Sequence, residues 1–250
     1  MSNAKMNRKE LIANVDKVYK TASRYSDRGR IIGEKLGIDC NLDFKTDFSN
    51  RENYSFEWRW SGSQETNSFK VKNGIASLDV ADIGPLDSMG SGLLKSEIAE
   101  VQNTGDLKLA NNIATALSVY GSRMILPLLT NDDIKTTFFN TCATDRGVET
   151  IEGSEYRHIS GPPYTYEFWV GTSDFTIRKV RCSFAFIPFG DAITRTLFTV
   201  GALVTKPFDA ASSDMLSKCS KKFADLYYYV DELTIEADPA CQNESPSEAH

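Results

Sequence analysis

ENYSFEWRW, residues 52–60, places Tyr54, Phe56, Trp58 and Trp60 at every second position, with Ser55, Glu57 and Arg59 between them. Successive side chains of a strand point to opposite faces, so this spacing predicts a β-strand with one aromatic and one polar face. Such a face either lies on an ordinary core or lines a pocket for an apolar ligand. Each large ring can bury about 150–250 Å² against a helix or a lipid tail.

The pattern extends on both sides. Leu42, Phe44 and Phe48 share one parity, interrupted by Thr46, and FKVKNGIASLDV carries Asn73-Gly74 between two extended runs. Asn-Gly at that place is a strong hairpin signal. Short strands following one another without helices between them predict an antiparallel meander. In YTYEFWV, Tyr164, Tyr166, Phe168 and Val170 again fall on one parity. After the turn at Gly171-Thr172-Ser173-Asp174, Phe175 and Ile177 take one parity, and Val180, Cys182, Phe184 and Phe186 the other. A switch of parity within a strand marks a bulge or bend, which a strongly curved sheet needs.

Helical spacing occurs in two places. Leu11, Ile12, Val15, Val18 and Tyr19 predict an amphipathic helix over residues 8–23. In the middle, LLKSEIAEVQ and LKLANNIATALSVYGSRMILPLLT predict one or two helices, with Leu109, Ile113, Leu117 and Tyr120 on one stripe and interruptions at Gly121 and Pro127. Strand texture returns from Lys135, including YRHISG, RTLFTVGALV and KKFADLYYYVDELTIEA. One domain over residues 8–240 is the simplest organisation. Residues 1–7, with Ser2-Asn3-Ala4, are read as a tag remnant and leader, and residues 241–250 as a polar tail.

Composition narrows the function classes. The chain has 250 residues, 41% hydrophobic and 25% charged, with a formal charge of -6 and a pI near 5.1. An acidic chain with scattered basic residues does not suit a polyanion, so no nucleic-acid partner is expected. No apolar run reaches the roughly 20 residues of a membrane-spanning helix, and the start lacks the pattern of a secretory signal. Cys40, Cys142, Cys182, Cys219 and Cys241 include no CxxC pair and leave the redox compartment open.

The chemistry-bearing residues are sparse. His158 and His250 are the two histidines. His158 could serve Cys142 or Cys182 as the base of a thiol nucleophile, but no flanking motif accompanies it. One internal histidine and scattered cysteines give little for zinc. Asp132-Asp133 and Glu97/Glu100 read as solvated charges. Gly90-Ser91-Gly92 before a helix lacks the lysine of a P-loop and the spacing of a dinucleotide fingerprint. The expectation is a non-enzyme that needs neither cofactor nor metal.

The order of these pieces resembles the lipoprotein-carrier superfamily, the LolA-like proteins. The first helix with SRYSDRGRII, then FKTDFSNRENYSFEWRW, VKNGIASLDV, NIATALSVYGSRMILPLL, and IEGSEYRHISG with YEFWVGTSDFTIRKV carry the likeness over most of residues 10–237. Residues 184–222 match poorly. The resemblance implies an α+β fold, a strongly bent antiparallel half-barrel with helices packed in its concave face. It also implies carriage of acyl chains in that cavity, a lipid or acylated protein as partner, peripheral contact with a membrane, and a place in the periplasm or cell envelope. On this expectation Tyr54, Phe56, Trp58, Trp60, Tyr166 and Phe168 form the walls, and Leu109, Ile113, Leu117 and Tyr120 the movable plug. If the plug fills the space entirely, the same fold is a solid-core interaction or scaffold protein. If Phe56 and Trp58 pointed outward and Glu57 and Arg59 inward, the cavity reading would fail.

Overall fold

The computed structural model describes residues 8–34, 41–84, 91–118, 121–130, 144–161, 166–186 and 222–238. Helix α1 (Arg8–Lys20) buries Leu11, Val15 and Tyr19. It ends three residues before the spacing suggested. The amide and hydroxyl of Thr21 both bond to the Lys17 carbonyl, and strand β1 (Ala22–Glu34) starts at once. Four more strands follow: β2 (Leu42–Asn50), β3 (Asn53–Trp60), β4 (Asn67–Lys72) and β5 (Ile75–Asp79). Then come α2 (Ser91–Thr104), α3 (Leu107–Leu117), a 3-10 turn (Gly121–Arg123) and α4 (Leu126–Thr130). The second half contains β6 (Thr144–Ile151), β7 (Ser154–Ser160), β8 (Tyr166–Gly171), β9 (Ile177–Phe186) and β10 (Lys222–Ala237).

All ten strands form one antiparallel sheet in the order β5-β4-β3-β2-β1-β10-β9-β8-β7-β6. Each wing is a meander, and the two wings join through β1 and β10. Among the described residues β5 and β6 are edges, so the sheet is open. Flat, ten strands would span about 43 Å at the usual 4.8 Å spacing. Yet one contiguous core runs from Ala76 and Leu78 on β5 to Ile159 on β7 and takes in residues of α1 to α4. A few short helices can serve that whole width only if the sheet curls around them. The fold is α+β, with the helices in the concave face.

Local chemistry explains the turns and bends. Asn73 (φ 52) and Gly74 (φ 76) make the two-residue hairpin between β4 and β5 that their sequence announces. Glu152 (φ 51) and Gly153 (φ 82) make a matching one between β6 and β7, which the sequence reading had not picked out. The parity switch in FTIRKVRC is a bulge. Trp169 pairs with Lys179 but Val170 pairs with Ile177, so Arg178 is the extra residue and Ile177 and Val180 both turn inward. A second slip, at Arg28/Gly29 on β1, leaves Asp231 of β10 as an extra residue, held by Arg30 (3.0 and 3.1 Å). Pro127 does not interrupt a helix as expected. It is the second residue of α4, where a missing amide hydrogen costs little. The strand runs expected at 135–143 and 195–204, the Gly90 loop end and Tyr120 lie outside the described residues.

The concave aromatic face and its helical roof

The alternation in β3 resolves as the cavity reading requires. Phe56 and Trp58 are 1% exposed and Trp60 4%, while Glu57 and Arg59 face the other way. Tyr54 is half-buried at the strand's start, between Phe48 (6.4 Å) and Phe69 (5.9 Å, edge-on). Across the sheet the inward rings form a stacked row. Tyr228 lies 4.2 Å from Phe44, Phe44 5.9 Å from Phe56, and Phe56 6.0 Å from Trp58.

That row exists because of a glycine. β1 runs between β2 and β10, so Phe44 and Tyr228 can meet only over a position without a side chain. Gly29 is that position: a Cβ there would overlap the Tyr229 carbonyl and stand 2.7 Å from Phe44 Cζ.

The roof crosses this face from the β5 edge inward. α2 packs on β5, α3 on β4 and β5, and α4 on β2 and α1. Ile113 and Leu117 of the expected plug are buried, Leu109 is at the margin, and Ala110 and Ala114 are the small residues that let α3 lie close. Gly121 sits directly over the sheet, where a Cβ would meet Ile31 Cδ1 at 2.5 Å and Phe56 Cζ at 2.9 Å. The α2–α3 corner also caps the β5 edge. Ala76 N donates to Gly105 O (3.2 Å) and Gln102 Nε2 to Leu78 O (3.4 Å). Gly105 adopts φ +66, and a Cβ on it would stand 2.7 Å from Ile75 Cγ2. On the far wing Phe168 is buried and Tyr166, 6.2 Å away, half-buried on the same face.

Beside the buried Asn67 and the Thr115–Ser122 contact, two polar features of this interior bear on its chemistry. The first is Asp27, buried on β1. Its carboxylate accepts from Tyr25 Oη (2.6 Å), Tyr228 Oη (3.0 Å) and Thr46 N (3.1 Å). Burial pushes the Asp27 pKa up to about 6 against the lowering effect of those donors, and burial beside Asp27 raises both tyrosines. Nothing in YSDRGR marked this aspartate as a core residue. Its partners Thr46 and Tyr228 come from other strands. The second feature is a pair of indoles. Trp58 Nε1 and Trp60 Nε1 are buried and have no hydrogen-bond acceptor among the described residues. A buried unpaired donor of this kind costs about 1–3 kcal/mol.

The outer face of the far wing is built differently. His158 Nδ1 lies 2.6 Å from Glu149 Oε1, so the nitrogen donates and the carboxylate accepts. The imidazole stacks on Trp169 at 4.2 Å, and Trp169 Nε1 donates to Glu149 Oε2 (2.8 Å). The Trp169 hydrogen bond leads the contacts that hold Glu149 below the usual carboxylate range. Lys179 Nζ stands 4.4 Å from the Trp169 ring centre, and Arg181 bridges Glu167 (3.3 Å) and Asp225 (3.2 Å). Cys182 pairs across the sheet with Tyr166 and Leu226 on the inward face, so His158 does not meet it. Cys142, the other thiol considered, lies outside the described residues.

No family model matches the chain, and no curated protein matches it. Solved structures similar to it include a LolA superfamily protein from Nitrosomonas europaea, with 9% identity, 94% of this chain and 96% of that chain covered, and a TM-score of 0.33. A candidate outer membrane lipoprotein-sorting protein domain from Vibrio parahaemolyticus shares 7% identity over 95% of this chain and 97% of its own, with a TM-score of 0.28. A DUF1329 family protein from Desulfovibrio piger shares 9% identity over 92% of each chain, with a TM-score of 0.26.

Proposed function

We propose that this protein binds an apolar ligand non-catalytically, between the aromatic concave face of β1–β5 and its helical roof, and shields it from water. The ligand class is an acyl chain, carried by a lipid or an acylated protein, taken up at a membrane surface in the periplasm or cell envelope. Tyr54, Phe56, Trp58, Trp60, Tyr166 and Phe168 are the proposed walls, with Leu109, Ile113, Leu117 and Tyr120 in the moving part.

The observation that carries this reading is the way the roof is attached. Residues 91–130 lie in sequence between the two edge strands, and the backbone hydrogen bond from roof to sheet among the described residues sits at one corner, Ala76 to Gly105. Elsewhere the roof meets the rings through side chains. Apolar contact is non-directional, so an acyl chain can replace the plug at about 0.8 kcal/mol per buried methylene. The sheet ladder stays intact when the roof lifts.

The test is native mass spectrometry of the protein from its own envelope fraction, before and after organic extraction, followed by titration with palmitate. A lipid-range mass lost on extraction and regained as a one-to-one palmitate adduct is expected. Gly121→Val wedges the 3-10 turn away from Ile31 and Phe56, and should increase uptake while lowering stability by about 1–3 kcal/mol.

The full burial of Phe56, Trp58 and Leu117 favours the second reading, a solid core with its working surface outside. That reading predicts a clean apo mass, no uptake, and only the stability loss in Gly121→Val.

A further inference from the structure

We propose that Trp58 and Trp60 offer their indole N–H groups to the carbonyl or carboxyl oxygen of the ligand, so that the concave face selects acyl compounds over plain hydrocarbons. This rests on reading that face as a binding site and names the chemical class it takes.

An indole N–H can only donate, and buried donors in folded proteins nearly always have a partner. Here two of them, on the same face of one strand and about 6–7 Å apart along it, have none among the described residues. The local acceptors are committed elsewhere. Asn67, the β4 residue paired with Trp58, is fully buried, and its Oδ1 already accepts from Ala81 N and Asp82 N, both at 2.9 Å. Asp82 Oδ1 accepts from Gly84 N at 2.7 Å. Gly84, at φ +63, packs against the Trp60 indole, and a Cβ there would stand 2.4–2.5 Å from Cε2, Cδ2 and Nε1.

The third tryptophan shows what the chain does when an indole is purely structural. Trp169 Nε1 is given the Glu149 carboxylate at 2.8 Å. The two inward indoles have no such acceptor among the described residues. An acyl group meets both demands of the site, since its chain matches the aromatic wall and its oxygen matches the donors. An alkane meets only the first.

The chain's three tryptophans give a direct readout. The full chain, 15N-labelled at the indoles, is titrated with palmitate, methyl palmitate and hexadecane, and binding of each is followed in parallel by native mass spectrometry. Palmitate should move the Trp58 or Trp60 N–H proton resonances downfield and leave Trp169, already bonded to Glu149, in place. A matching shift with methyl palmitate identifies an ester-linked acyl group as the natural form, and a shift with palmitate alone identifies the free acid. Hexadecane should bind at least roughly tenfold more weakly.

Trp58→Phe and Trp60→Phe assign the resonances and should lower palmitate affinity by roughly tenfold, with little effect on hexadecane. If palmitate binds without moving either inward indole, or hexadecane binds as tightly, the proposal is overturned and the binding reading survives. If none of the three binds, both fall.

Discussion

The two wings of the sheet treat their tryptophans differently. On the β1–β5 wing the outer face is exposed and its ion pairs, Arg59–Asp43 (3.2 Å) and Lys70–Glu57 (3.4 Å), stand in water. Inside it are Asp27, Asn67 and the indoles of Trp58 and Trp60, all buried. On the β6–β9 wing the outer face holds His158 and Trp169, 9% and 5% exposed, while Arg157, opposite Val170 and on the face of Ile159, turns inward with its partner Asp145. On that outer face Glu149 accepts from both Trp169 and His158, while His158 Nε2 and Arg181 Nε are buried and make no hydrogen bond among the described residues. The contrast teaches that an unpartnered indole is particular to β3 among the three tryptophans, because the same chain satisfies the identical group of Trp169.

The largest expected break in this comparison is at the seam between the wings. Gly29→Ala forces a methyl group into the Tyr229 carbonyl and splits the Phe44–Tyr228 stack. A loss of about 4 kcal/mol or more in urea unfolding is expected. A loss under about 1 kcal/mol would show that the β1–β10 bulge relaxes freely.

Next comes the pH response, where the wings differ in sign. Asp27 titrates near 6 when folded and near its ordinary 3.8 when unfolded, so the native state holds the proton more tightly. Its contribution to stability is therefore greatest below the unfolded value, declines as pH rises through 6, and amounts to about 3 kcal/mol. Glu149 is depressed instead, so its contribution is present above the unfolded value and fades as pH falls through the folded one. Asp27→Asn should flatten stability between pH 4 and 6, and Glu149→Gln should flatten the acid limb below that. Parallel slopes in both variants would erase the distinction.

Smaller again, Trp169→Phe should cost about 1–2 kcal/mol through the lost bond to Glu149. It should leave palmitate uptake unchanged, and a fall in uptake would place the outer face in the binding route. Smallest is Arg59→Ala. Its pair with Asp43 is about half exposed on both sides, so a change within about 0.5 kcal/mol is expected by thermal unfolding.

Period-two features were legible in the sequence because they are local. The β3 alternation, the Asn73-Gly74 hairpin and the Arg178 bulge all follow from spacing within a dozen residues. The α2–α4 insertion was legible as helical, and Ile113 and Leu117 lie where their stripe put them. What escaped was made by distant partners. Asp27 is 201 residues from Tyr228, and in sequence it is one more charge among Ser26, Arg28 and Arg30. Gly29 and Gly121 carry no motif; their roles come from rings and a methyl group on other strands. The unpaired state of the indoles could not be seen in ENYSFEWRW, since whether a donor is satisfied depends on what the folded chain places before it.

The pairing of β1 with β10 also sets the order in which this protein can be made. The centre of the sheet joins segments near opposite ends of the chain, and such long-range pairing is slow because loop closure must come first. Until residues 222–237 have emerged from the ribosome, each wing is a separate meander with an open inner strand. A nascent chain of this design cannot join its two halves until β10 arrives.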